Sequence, residues 1–228
     1  MADVAAPPPE PSEVPLSVRA QLLATEHWSL LASRSTTQNE VLARISMFLT
    51  LVSAALVSLA LVGQATGFSD AFVVFAIAVL GVVCLVGILT QLRVVNVALE
   101  DLMYVLAMNR LRAAYVDLDP GVAPYLMASP HDDQSGSRQT YYFLGPRRGF
   151  THVAGSSMVF IIAVNSAMIG LLAAAIAGIL SAPTPVVVIV GAILGLAFFV
   201  VSIVYGGRGY SGVWRTHMPL RPSDTGTG

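Results

Sequence analysis

The one place where titratable side chains crowd together is PHDD at 130–133, with His131, Asp132 and Asp133 in succession. An imidazole beside two carboxylates is the donor set of a divalent cation or of acid–base catalysis. Three consecutive side chains on an extended loop cannot all aim at one ion, and no second His or Cys group stands at ligand spacing, so the stretch reads as a solvated loop. His27, His152 and His217 are isolated and read as structural or interfacial. Cys84 is the only cysteine and lies in an apolar run, which excludes an intramolecular disulfide or a Cys-based zinc site and leaves it a small hydrophobe. No phosphate-binding glycine loop, nucleophile elbow or zinc-protease helix motif occurs. The chain is therefore expected to be non-enzymatic, with no catalytic residue, no cofactor and no metal site.

A second set of candidates is suited to recognition. Glu26, His27, Trp28 and Arg34 precede the first long apolar run, and Asn109, Arg110 and Arg112 follow the second. If the helices carrying them lie side by side, an ion pair of Glu26 with Arg110 or Arg112 is expected. Tyr141, Tyr142, Arg147 and Arg148 combine aromatic and basic groups just ahead of the third run, which suits anchoring at an anionic lipid interface. Asn165, the most polar residue of the third run, is expected to make an interhelical hydrogen bond, with a pore-lining role as the other reading. Gly170, Ala174 and Gly178, and likewise Gly191 and Gly195, recur every four residues and make helix-packing faces on the third and fourth runs. Such faces serve either packing within one chain or self-association between chains.

Those side chains must be held by elements that the composition already constrains. Of 228 residues, 55% are hydrophobic and 11% charged, against about 25% charged in soluble domains, and mean hydropathy is +0.74. A soluble surface needs more charge than this, so the prior is a membrane protein. A helix crosses the hydrocarbon with about 20 apolar residues, and four stretches qualify: 45–63, 71–92, 158–180 and 185–205. The fold class is thus all-α and polytopic, four transmembrane helices in two antiparallel hairpins (45–92 and 158–205), because the connections near 64–70 and 181–184 are short.

All twelve basic residues are arginine. Three precede the first span, six lie between the second and third, three follow the fourth, and the other two loops have none. Basic residues flanking spans favour the cytoplasm, so a multi-pass protein of the cell (inner) membrane is expected with both termini and the middle loop inside. The spans hold no Asp, Glu, Lys or Arg, which argues against proton pumping and ion-coupled transport. A formal net charge of −1 argues against nucleic acid as a partner.

Outside the spans, residues 1–15 are rich in Pro and Glu and read as a disordered tail without the basic and apolar regions of a signal peptide. Leu16, Leu23 and Leu30, with Trp28 and Leu31 near the same side, predict an amphipathic cytoplasmic helix over 16–44. Thr37 followed by Glu40 fits a capping box, so that helix is expected to restart before the membrane. Leu92, Val95, Leu99, Leu102 and Leu106 predict a stripe on an extension of the second span over 93–117, stopped by Pro120 and Gly121. The two stripes pack on each other, make a subunit interface, or lie on the membrane surface. Residues 118–157 read as a cytoplasmic loop and 206–228 as a flexible cytoplasmic tail.

At LLATEHWSLLASRSTTQNEVLARISMFL (22–49) and MNRLRAAY (108–115) the chain resembles a family of uncharacterised actinobacterial integral membrane proteins, from about Leu22 to the end. A more distant, architectural likeness is to SLATT-type membrane effectors, which place helices on the cytoplasmic side of a two-span hairpin. Taken together, the residues point to a scaffold or interaction protein with a cytoplasmic helical surface, whose partners are the lipid bilayer, a protein on the cytoplasmic face and a second copy of the chain. The alternatives are an oligomeric pore-forming or regulated membrane effector and a small transporter.

Overall fold

A computed structural model describes residues 14–145 and 156–223. The expected disordered tail up to residue 13, together with Arg147, Arg148 and His152, lies outside the described residues. Among the described residues every regular element is helical: α1 (Leu16–Thr66), α2 (Asp70–Leu118), a 3-10 turn (Pro120–Tyr125), α3 (Gln134–Tyr141), α4 (Ser157–Ile179) and α5 (Thr184–Thr216). Four of these, α1, α2, α4 and α5, are long and apolar enough to span a membrane. In their most apolar windows only 17–28% of residues are buried. The rest of that surface, including Leu61, Leu85, Val188 and Leu196, faces outward, as lipid permits and water does not.

α1 has 51 residues and α2 has 49. At about 1.5 Å per residue each is roughly 75 Å long, more than twice the hydrocarbon thickness, so about half of each stands outside lipid. The sequence from 16 to 62 has neither Gly nor Pro, and α1 runs through it unbroken, overturning the expected restart at Thr37. A cap in mid-helix would forfeit i→i−4 hydrogen bonds. Glu40 instead accepts from Arg93 (3.0 Å) and Arg44 (3.0 Å). The helix ends where Gly67 takes a left-handed φ of 59° and the Phe68 N–H reaches back to the Gly63 carbonyl at 2.9 Å, a Schellman closure.

Beyond that turn α2 meets α1 in reverse order, with Phe48 against Gly87, Glu40 with Arg93, Arg34 with Asp101 and Leu23 with Tyr115. That register explains which leucines turn inward. Leu23 and Leu30 are half-buried, whereas Leu16 overhangs the end of α2 and is exposed, and Trp28 and Leu31 face outward. On α2, Val95, Leu102 and Leu106 are buried, Leu99 is half-buried and Leu92 is exposed. Val94, Val97, Val105 and Met108 are buried as well, because α2 touches α1, α3 and α4 and so covers more than one stripe.

The small residues of α4 and α5 meet closely. A Cβ on Gly170 would lie 2.9 Å from the Gly191 carbonyl oxygen, one on Gly191 3.1 Å from the Ala174 Cβ, and one on Gly195 2.8 Å from the Ser166 oxygen. Gly178 departs from the expected face, with nothing within 4 Å of its Cβ position. Towards that end the helices diverge around an apolar groove of about 390 Å³ lined by Ala173, Ala177, Val186 and Val190.

Two further expectations outside the spans fail. Residues 118–157 contain the 3-10 turn and α3 as well as loop, and the expected flexible tail begins as helix, since α5 continues through GGRGYSG to Thr216. Glycine in a helix costs about 1 kcal/mol relative to alanine. Two of the four glycines lie against neighbours, Gly206 near the Met158 sulfur and Gly209 beside Leu99, while nothing lies within 4 Å of the Cβ positions of Gly207 and Gly212.

Candidate functional site

The part of the chain that carries chemistry is a cap at the ends of α1, α2 and α5 remote from the 67–69 and 180–183 turns, built with the 3-10 turn, α3 and residues 217–223. Its centre is Asp132, whose side chain is 0% exposed. The carboxylate accepts the N–H groups of Leu220 (3.0 Å) and Arg221 (2.7 Å) and pairs with the Arg110 guanidinium. Burial opposes its ionisation, but the Leu220 N–H, Arg110 and the Arg221 N–H outweigh it and hold the carboxyl below its ordinary range. The backbone joins in: the Asp132 N–H donates to the Arg221 carbonyl at 3.1 Å, and the Asp132 carbonyl contacts His217 Nε2 at 2.7 Å. Asp133 caps α3 through the Gly136 N–H (2.7 Å) and accepts from the Ser223 N–H (2.7 Å) and hydroxyl. Arg221 in turn pairs with Asp117. The solvated-loop reading of 130–133 is thus wrong: a buried carboxylate needs donors, and the chain end supplies them.

Next to Arg110 on α2, Asn109 is also 0% exposed with both ends of its amide engaged. Its nitrogen donates to the His131 carbonyl (2.7 Å), and its oxygen accepts from Thr140 (2.9 Å) and Arg112 (2.6 Å). Nearer the apolar segments Asp101 joins three elements, accepting from Arg34 (2.6 and 3.2 Å), Gln38 (2.7 Å) and the Tyr141 hydroxyl (2.7 Å). Burial raises the Asp101 carboxyl, yet Arg34 and Tyr141 bring it below the usual range, and Tyr141 is pushed up by burial and by that same carboxylate. Tyr141 therefore spends its hydroxyl on Asp101 inside the cap, and its expected anchoring partners Arg147 and Arg148 lie outside the described residues. Tyr142 lies next to it, ring centroids 6.4 Å apart.

The expected ion pair of Glu26 with Arg110 or Arg112 does not form among the described residues. Arg110 is drawn to Asp132, a stronger claim because that carboxylate is buried. Glu26 and Arg110 instead both line a cleft of about 380 Å³, together with Leu30, Met103, Leu111 and His217. His27 stacks on Tyr115 at 5.9 Å, and the Tyr115 hydroxyl donates to the Leu23 carbonyl at 3.0 Å. Burial, then Arg112, lowers the His27 pKa. Trp28 is 71% exposed.

Between the cap and the apolar turns a smaller polar cluster ties three helices. The Asn165 side-chain nitrogen donates to the Gly87 carbonyl (2.8 Å) and to Gln91 (2.9 Å), and Gln91 donates to Ser202 (3.0 Å). Asn165 is 1% exposed, so it makes the interhelical bond expected of it and faces helices instead of a lumen. Gln91 and Ser202 went unnoticed in the sequence because a single amide at the end of an apolar run carries no periodic signal.

No protein-family model matches the chain, and no curated protein or solved structure matches it.

Proposed function

We propose that this four-span protein sits in the cell membrane as two hairpins with both termini cytoplasmic, and that its cap is a non-enzymatic docking module for a protein partner. The observation that carries the reading is Trp28. It is 71% exposed on a stretch of α1 that precedes residue 45 by about 25 Å of helical rise, too far for its indole to reach the bilayer. Large aromatics held open on a rigid surface away from lipid mark contact sites. Rigidity comes from the Asp101 and Asp132 centres, which spend their acceptors on holding segments together. The orientation is supported by charge, since the turns at 67–69 and 181–183 hold no arginine while the cap holds most of them.

A photo-crosslinking residue at position 28 in cells, compared with one at the exposed Arg138, tests this. Discrete adducts from position 28 alone are expected, and they should disappear when Leu22, also exposed on α1, is changed to Glu. Adducts that are absent, or equal from both positions, would reject the docking role.

A further inference from the structure

Of the arginines among the described residues, three are half-buried: Arg34, Arg93 and Arg112. The first holds Asp101 and the second holds Glu40 and Glu100. Arg112 pairs with no carboxylate among the described residues. Its acceptor is the neutral amide oxygen of Asn109 at 2.6 Å, which fixes one edge of the guanidinium and leaves the other uncommitted. A partly desolvated cation without a counter-charge is unfavourable, and here the surroundings add to the cost. Arg34 is near enough to repel it, and burial together with Arg34 depresses the Arg112 pKa. Arg34 itself uses Nε and Nη2 on Asp101. On the same side of α1, His27 Nδ1 is buried with no hydrogen-bond partner.

We propose that Arg112, with His27 and Arg34, forms a binding site for a soluble phosphate-type oxyanion at the junction of α1 and α2. The guanidinium fork suits an oxyanion, one edge being held in place by a buried amide whose own hydrogen bonds to the His131 carbonyl and Thr140 keep it still. A phosphoryl group is favoured over a carboxylate because donors come from two helices and a tetrahedral anion can accept from several directions. The lipid headgroups of the host membrane are out of reach. Arg112 lies 20 residues past the end of the second apolar run, about 30 Å by helical rise, whereas headgroups extend the bilayer by only about 5–8 Å per side. The site is separate from the exposed Trp28 face, so it stands or falls independently of the docking role.

The test uses the full chain purified in detergent and titrated with inorganic pyrophosphate at constant ionic strength, with chloride and acetate as controls. Saturable thermal stabilisation by pyrophosphate is expected, along with affinity lower by about tenfold or more in Arg112→Gln, the worth of one charge-assisted contact. Arg138→Gln, on exposed α3, should bind as the parent does. In anion-free buffer Arg112→Gln should melt no lower than the parent, because an uncompensated cation has been removed. Arg112→Lys, which keeps charge without the fork, should fall between the two. The assignment is overturned if pyrophosphate does not stabilise, if acetate matches it, or if Arg112→Gln binds unchanged. It also fails if Arg112→Gln destabilises the anion-free protein, which would make the guanidinium a purely structural group.

Discussion

Asp132 shows how a residue can be misjudged from its neighbours in sequence and understood from its neighbours in space. Beside His131 and Asp133 it looks like part of a hydrated acidic loop; folded, it is enclosed by Arg110 and the N–H groups of Leu220 and Arg221. Changing it to Asn preserves shape but replaces one acceptor oxygen with a donor that must face other donors. A loss of about 2–3 kcal/mol in cap stability is expected, read as faster hydrogen exchange at the Leu220 and Arg221 amides, with the Asn165 region unaffected. The acidic groups also set a pH response. Asp101, Asp132 and Asp133 all have carboxyl pKa values lowered by the fold. Their stabilisation is therefore fully present above the unfolded carboxylate value of about 4 and is lost as pH falls through the lower folded values. Acid titration should loosen residues 217–223 below about pH 4, and Asp132→Asn should flatten that transition. A midpoint near neutral pH would contradict it. Of these residues the sequence disclosed only their presence, because a docking between 132 and 221 has no local pattern; Asn109, Arg110 and Arg112 stood out, but their partners did not.

For the helices, legibility followed periodicity and length. The four apolar runs and the stop near Pro120 could be read because each depends on residues adjacent in the chain. α3 could not, since QSGSRQTY is a weak helix former held by the Asp133 cap and by Thr140 and Tyr141 reaching α2. The small-residue spacing was informative as far as the helices stay together. Gly191→Val should cost about 1–3 kcal/mol by forcing side-chain atoms against the Gly170 carbonyl and Ala174, whereas Gly178→Val, whose Cβ points into open space, should be near neutral. Unfolding of both variants in mixed micelles separates them, and equal losses would show that spacing alone, without contact, governs this pair. Gly87 is the same kind of position: a Cβ there would collide with the Asn165 side-chain oxygen.

For the molecule as a whole, the decisive quantity is which side of the bilayer each end occupies. The arginine-bearing cap and the arginine-free turns lie at opposite ends of helices about 75 Å and 50 Å long, so one labelling experiment fixes all of them together. Cys84 is buried in the apolar core and must first be changed to Ala to silence the background. Single cysteines then replace Ser69, an N-cap whose side chain makes no capping bond, Ser181 in the second turn, and Ser135 on α3 in the cap. With intact cells and a membrane-impermeant maleimide, Ser69→Cys and Ser181→Cys should label and Ser135→Cys should label only after lysis. Because α1 and α2 share a register from Leu23–Tyr115 to Phe48–Gly87, and α4 is tied to α2 through Asn165, the two turns cannot report opposite sides while the fold is intact. Labelling of Ser135→Cys in intact cells would invert the protein and place Trp28 and Arg112 outside. The docking surface and the oxyanion site would then have to meet extracellular partners, which changes what each can bind without altering the geometry of either.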